Sequence, residues 1–161
     1  MRVQTEEWQR FIPGVRMYKG KKTFFYNGDP LVLEIYEYAE TSTWEVVIIL
    51  PGVEVIPEFA FASCHSLKIV IMSDTVRRIE DEAFGHCEHL KYIRLSINIE
   101  FIGDSVFCEC KSLRSLFIPP SCRTVGPNAL KHCHKLIILV VHQDTQLDFE
   151  MMDLTPLEEI F

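Results

Sequence analysis

Apolar residues recur along this chain with a period of 23 residues. Four cysteines mark the period: Cys64, Cys87, Cys110 and Cys133. The positions eight and three residues before each of these cysteines, and three, six and eight residues after it, are apolar in all four copies. Around Cys87 these five positions are Ile79, Phe84, Leu90, Ile93 and Leu95. A fixed period of this length is typical of a solenoid, in which each unit buries its apolar face against its neighbours.

The period divides most of the chain into five units: residues 33–55, 56–78, 79–101, 102–124 and 125–147. The unit 33–55 is degenerate, because Leu33, Tyr38 and Trp44 keep apolar positions while Thr41 stands where the cysteine would be. Residues 1–32 are interpreted as a hairpin-like N-terminal cap with a turn at Asn27-Gly28.

The second half of each unit alternates between inward and outward positions, as a strand does. In the unit 79–101, Ile93 and Leu95 are predicted to point into the core, and Tyr92 and Arg94 to point outward. The segment 80–87 suits a short helical turn, because acidic residues open it and apolar residues follow. The predicted fold is therefore α/β, a short solenoid with a parallel strand stack on one face and short helical turns on the other, capped at both ends.

The C-terminal segment 148–161 breaks the period and is interpreted as a cap or a tail. It reads as the start of a short helix, with Thr155 as N-cap, Pro156 at the first helical position and Glu158 three residues after the cap. Two roles stay open for it. It either caps the solenoid or forms the first turn of a partner-binding tail.

The consensus of the units is I-x-x-x-A/V-F-x-x-C-x-x-L-x-x-V-x-I/L-P/x. This resembles the BspA-type leucine-rich repeat, whose hallmark is an "AF…C" segment followed by "L-x-x-V-x-I-P", over roughly residues 33–147. The resemblance implies a solenoid of parallel strands. It also implies a role in binding or adhesion, often at microbial surfaces, and it supplies no catalytic residues.

The motifs His86-Cys87-x-His89, His132-Cys133-His134 and Cys108-x-Cys110 contain the residue types that bind zinc. The period favours packing instead, because the four periodic cysteines occupy an apolar position and a free cysteine behaves as a small buried hydrophobe. No metal or other cofactor is therefore predicted, and a metal-binding Cys/His protein remains only a remote alternative.

Cys108 falls on a variable position of the repeat, which makes it the best candidate for a reactive surface thiol. Disulfides are not favoured, because neighbouring periodic cysteines would project nearly in parallel. The chain lacks phosphate-binding loops, G-x-S-x-G and H-E-x-x-H. It is therefore predicted not to be an enzyme, with no catalytic residues.

Composition narrows the classes of partner. The 161 residues carry a formal net charge of −7, and no basic block is longer than "KGKK" at 19–22, which disfavours nucleic acid. No run of eighteen apolar residues exists, so no membrane span is predicted. Glu6 and Glu7 occur where a secretory signal would be apolar, which favours either an intracellular location, cytoplasmic or nuclear, or a mature form whose targeting segment is absent.

The outward strand positions give the candidate site. A solvent-facing sheet normally carries polar residues there, yet eight of these ten positions are apolar or aromatic. Partner binding is predicted for Val46, Ile48, Ile69, Ile71, Tyr92, Arg94, Phe117, Ile138 and Val140. Basic residues beside this stripe suggest a partner segment that is acidic and amphipathic: Lys68, Lys91, Arg114 and Lys135.

The predicted function is thus a non-enzymatic protein–protein interaction module with an unidentified protein partner. The alternative is a structural protein that self-associates into a homo-oligomer through the same stripe. A third interpretation is that the terminal segments fold over part of it.

Overall fold

The computed structural model describes residues 14–18, 20–29, 31, 33, 43–147 and 159–160. Thirteen strands lie in this part of the chain: β1 (Gly14–Tyr18), β2 (Lys21–Tyr26), β3 (Val46–Ile49), β4 (Val55–Ile56), β5 (Ile69–Met72), β6 (Arg78–Ile79), β7 (Tyr92–Arg94), β8 (Phe101–Ile102), β9 (Ser115–Phe117), β10 (Thr124–Val125), β11 (Ile138–Val140), β12 (Gln146–Leu147) and β13 (Glu159–Ile160).

The strands form stacks in which the neighbour of each strand is its counterpart in the adjacent repeat. One sheet has the order β1-β2-β3-β5-β7, a second has β12-β10-β8-β6-β4, and a third has β13-β11-β9. Every pairing is parallel except that of β1 with β2. Val47 pairs with Val70 and Val70 with Ile93, so the 23-residue period of the sequence is also the register of the sheet.

The core is a continuous apolar column that runs through the repeats. Ile93 and Leu95 are buried, as their alternation predicted, and so are the four periodic cysteines. Phe61, Phe84 and Phe107 form a stack, with ring centroids 5.3 Å apart in the first pair and 6.0 Å apart in the second. Each repeat therefore buries the same residue types against the repeat before it and the repeat after it.

The segment opposite the strands is not helical, which corrects the prediction of short helical turns. Eight non-glycine residues there have φ between 52° and 62°: Phe59, Ser63, Glu82, His86, Ser105, Glu109, Asn128 and His132. A left-handed residue at every fourth position within each segment stops a helix from propagating.

Hydrogen bonds between repeats replace the helical ones in this segment. The amide of Phe84 donates to the carbonyl of Val106 over 3.1 Å, and the amide of His86 donates to that of Cys108 over 2.7 Å. The sequence signals for a helix, acidic residues followed by Ala83 and Phe84, are satisfied here by a ladder of turns that joins one repeat to the next.

The N-terminal part of the fold continues the solenoid through a hairpin. Thr23 pairs with Val46, so β2 lies one 23-residue step before β3 and takes the place of a repeat strand. The turn between β1 and β2 contains Gly20, whose φ of 75° suits glycine, whereas Asn27-Gly28 follows β2 and does not join the two strands.

The C-terminal end continues the stack with shorter steps. Val125 pairs with Leu147, a step of 22 residues (147 minus 125), and Leu139 pairs with Ile160, a step of 21 (160 minus 139). Glu159 and Ile160 form strand β13, and the predicted helix start at Thr155, Pro156 and Glu158 lies outside the described residues, as do Tyr38 and Thr41.

Candidate partner-binding face

The outward positions of the strands lie side by side on one sheet face, here called the outer face. Its residues form two files that run across the strands, Val46, Ile69, Tyr92, Ser115 and Ile138 in one, and Ile48, Ile71, Arg94, Phe117 and Val140 in the other. Hydrogen-bonded registers join β3 to β5 to β7, and β9 to β11, while β7 and β9 are neighbours that belong to different sheets.

The N-terminal part of the outer face is buried. Val46 is only 7% exposed and Ile48 only 3%, and both belong to a second hydrophobic cluster with Phe25 and Leu50. Ile69 is partly buried against this cluster. These positions do not face solvent, which corrects the expectation of a stripe exposed along its whole length. Alternation in the sequence identifies the face of a residue, but it does not indicate what packs on that face.

The C-terminal part of the outer face is open. Tyr92 is 53% exposed, Phe117 56% and Ile138 40%, while Arg94 and Val140 are half-buried beside them. These five residues are called the exposed patch. Large apolar side chains that adjoin one another on a sheet are the kind of surface at which proteins bind partners.

Arg94 is held by its own chain. Its guanidinium donates to Asp74 Oδ1 over 2.9 Å and to the backbone carbonyl of Met72. Arg94 therefore contributes a rigid border to the exposed patch, and its charge is already matched by a carboxylate.

The basic residues beside the patch differ in their pairing. Lys68 Nζ lies 2.8 Å from Glu45 Oε2, and the hydrogen bond from Lys68 lowers the pKa of that carboxyl. Lys91 and Arg114 follow Lys68 at the same repeat position and make no ion pair within the described residues. The next residue at this position is Ile137, so Lys135, two residues earlier, belongs to a neighbouring position, which corrects its place in the predicted basic row.

A second charged cluster surrounds Lys111. Its Nζ lies 2.9 Å from Glu88 Oε1 and 3.1 Å from Glu109 Oε2, and these bonds lower the pKa of both carboxyls and raise that of Lys111. His132 Nε2 lies 3.9 Å from Glu109 Oε1. Nowhere in the described ranges do three Cys, His, Asp or Glu side chains form a group that could hold a metal ion.

All six cysteines are free thiols, and five of them are buried. The pKa values of five thiols lie above the ordinary range: Cys87, Cys108, Cys110, Cys122 and Cys133. The neighbouring Cys64 thiol and then burial raise the pKa of Cys87, and burial raises that of Cys110, that of Cys122 to about 11 and that of Cys133 to about 12. Partial burial and then Glu109 raise the pKa of Cys108 as well, so its higher exposure is not matched by an activated thiolate.

These features define the class of the protein as a parallel-strand solenoid of about five turns. A family model for the BspA type leucine rich repeat region matches residues 33–149 with six copies, and the chain belongs to this family. The predicted resemblance is thereby confirmed. Leucine-rich repeat domains generally mediate protein–protein interaction and are typically non-enzymatic. No curated protein sequence matches this chain at a significant level.

Solved structures of bacterial leucine-rich repeat proteins share the fold. A leucine rich cell surface protein from Faecalibacterium prausnitzii is 26% identical with a TM-score of 0.72, over 92% of this chain and 38% of that one. A leucine rich repeat protein from T. pallidum is 20% identical with a TM-score of 0.61, over 83% of this chain and 59% of that one. A leucine-rich repeat protein from Eubacterium ventriosum is 14% identical with a TM-score of 0.52, over 86% and 37%.

This chain thus spans less than two thirds of the length of each of these structures. The F. prausnitzii protein is described as a cell surface protein. None of the helical stretches in the described part of the chain has the length and apolar character that a membrane crossing requires.

Proposed function

We propose that this protein is a non-enzymatic interaction module that binds a protein partner through the exposed patch. The observation that carries the proposal is the contrast along one face. Val46 and Ile48 are buried at its N-terminal part, while Tyr92, Phe117 and Ile138 stand exposed at its C-terminal part. The exposed half of the outer face also carries large apolar side chains, so it is suited to be buried by a partner. The intracellular location predicted from the first residues stays a prediction.

The composition of the patch supports binding of a partner. Tyrosine and arginine are enriched at binding hot spots, and the exposed patch contains one of each. The arginine is fixed by Asp74, so this part of the surface is preorganised and loses little side-chain entropy on binding. Ile69 and Ile71 are half-buried between the covered and the open parts, and they form the border of the surface available to a partner.

The test is loss of partner capture by the double variant Tyr92→Ala, Phe117→Asp. A matched control is Phe59→Asn, which removes an aromatic side chain that is 52% exposed outside the patch and places an asparagine, a residue that tolerates left-handed φ. Lysine-directed crosslinking also shows where on the surface the partner binds, because Lys91 is exposed and adjoins Tyr92. The expected result is capture and Lys91 crosslinks with the wild type and with the control, and neither with the double variant. Equal capture by all three proteins contradicts the proposal.

Self-association through the same patch is the second candidate, because an exposed apolar patch also suits a second copy of the chain. Size-exclusion chromatography with light scattering separates the two. A monomer at every concentration supports a different partner, and a dimer that the double variant dissociates supports self-association.

A further inference from the structure

The charges in the segments that lead into the strands of the outer face point to the chemistry of the partner. These segments are residues 63–68, 86–91, 109–114 and 132–137, from one residue before each periodic cysteine to the last residue before the strand, and together they are called the rim. The rim contains five Lys or Arg residues and two Glu residues, a net charge of +3, in a chain whose net charge is −7. The rest of the chain therefore carries a net charge of −10 (−7 minus +3). The rim is a local concentration of positive charge on an acidic protein.

Three of the five cations in the rim have no acidic partner among the described residues. Lys68 is paired with Glu45, and Lys111 is shared by the two glutamates of the rim. Lys91, Arg114 and Lys135 remain, all three exposed. Lys91 and Arg114 directly precede strands β7 and β9, and Lys135 lies three residues before β11. These strands supply Tyr92, Phe117 and Ile138 to the exposed patch.

Another repeat position shows that unmatched charge is not general in this solenoid. Glu54, Arg77, Glu100 and Arg123 follow one another at 23-residue steps with alternating sign, and Arg77 and Glu100 form an ion pair. Stacked strands are about 4.8 Å apart, and like charges that lie opposite one another are unfavourable. Lys91 and Arg114 hold one repeat position in adjacent units, so like charges follow one another there, and bound carboxylates would offset them.

We propose that the partner is an acidic polypeptide segment, whose apolar side chains cover the exposed patch and whose carboxylates pair with Lys91, Arg114 and Lys135. This inference rests on the proposed function and adds the chemistry of the partner to it. Complementary charge of this kind selects partners and speeds their association.

A second copy of the chain fits this chemistry less well. Asp74 beside the patch and Glu88 and Glu109 of the rim each already form an ion pair within their own chain. In a face-to-face dimer these three carboxylates are therefore not free to pair with Lys91 and Arg114 of the other copy. Nucleic acid would satisfy the cations, but it would leave the aliphatic side chains of the patch uncovered by apolar groups.

The experiment selects random peptides of about twelve residues, long enough to span the patch, on the intact chain. The enriched peptides are synthesised, and their affinities are measured by fluorescence anisotropy. The expected peptides combine Asp or Glu with aromatic or aliphatic residues. The double variant Lys91→Glu, Arg114→Glu weakens them by about tenfold or more. Arg123→Glu is the matched control, since it reverses an exposed charge at the alternating position.

The failures of the two proposals are distinguishable. Enriched peptides that are neutral, and that need Tyr92 and Phe117 but ignore the charge reversal, overturn the acidic partner and leave the proposed function standing. Peptides whose affinity is unchanged by Tyr92→Ala, Phe117→Asp overturn the proposed function itself.

Discussion

The thiol of Cys87 donates a hydrogen bond to the backbone carbonyl of Phe61 in the preceding repeat, with 3.1 Å between sulfur and oxygen. Cys110 makes the same bond to Phe84, and Cys133 makes it to Phe107. A cysteine at this position is small enough for the core and satisfies a carbonyl that the turns leave buried. The period in the sequence places the cysteines in the core, and the structure adds the reason for choosing cysteine.

Replacing one of these thiols should destabilise the fold. Cys110→Ala removes a buried sulfur together with its hydrogen bond to Phe84, and we expect a loss of about 1–3 kcal/mol in the free energy of unfolding. Urea unfolding followed by circular dichroism measures the loss. Cys108→Ala is the control two residues away, and because Cys108 is only half-buried its cost should stay within about 0.5 kcal/mol. Equal costs for the two variants would contradict the structural role of the thiol ladder.

Thiol labelling of the folded protein should reach Cys108 first. The other five cysteines are buried and become accessible only on unfolding. Because burial and Glu109 raise the pKa of Cys108, its thiolate fraction is small at neutral pH and grows as the pH rises. The labelling rate should therefore be slow near neutrality and increase into the alkaline range, as mass spectrometry of quenched samples would show. Rapid labelling of Cys87 or Cys110 in the absence of denaturant would count against the packing described for the core.

The phenylalanine stack predicts how stability depends on the size of the side chain at position 84. Phe84 lies between Phe61 and Phe107, so Phe84→Ala should cost about 3–5 kcal/mol. Phe84→Leu should cost less than about 1.5 kcal/mol, because Leu130 fills the same position two repeats later. The midpoint of urea unfolding distinguishes the two variants. The idea fails if leucine and alanine are equally harmful.

Gly126 is required for close approach of backbones. A Cβ there would lie 2.6 Å from the carbonyl carbon of Gly103 and 2.7 Å from the amide nitrogen of Asp104. Gly126→Ala should therefore destabilise the protein by about 1–3 kcal/mol, since backbone must shift to admit the methyl group. Gly85→Ala is the matched control. Its Cβ would meet no atom closer than 3.4 Å, and its repeat position holds Ala62, Cys108 and Lys131 in other units. We expect no loss of thermal stability for Gly85→Ala, and a comparable loss for both variants would refute the close packing at Gly126.

The sequence predicts those parts of the fold that depend on periodicity. Ile93 and Leu95 are buried as alternation requires, and the match to the repeat family confirms the solenoid. The pairing of β2 with β3 escaped prediction although Phe24 and Tyr26 lie 23 residues before Val47 and Ile49, because no cysteine marks this earlier copy. The backbone opposite the strands was predicted wrongly, because a helix and a ladder of left-handed turns place Ala83 and Phe84 in the same core.

The candidate site is less predictable than the core. Outward positions follow from alternation, but Val46 is buried in a cluster with Phe25 of strand β2, and the period of the cysteines does not indicate that neighbour. The pairing of Arg94 with Asp74 spans 20 residues and depends on how two neighbouring turns approach each other, which no pattern in the chain indicates. What the sequence supplies is the set of candidates, and three-dimensional packing decides which of them are open to a partner.

The register of β2 on β3 has a consequence for how such a protein changes over evolutionary time. Because the hairpin joins the first repeat at the ordinary 23-residue step, the N-terminal segment meets the array as one more repeat would. An in-frame duplication or deletion of one whole unit should therefore preserve both ends and every internal contact type. An insertion or deletion of any other length should shift the apolar positions out of register with those of the neighbouring repeats. The length of the array is thus free to vary in whole steps, and the extent of the binding face varies with it.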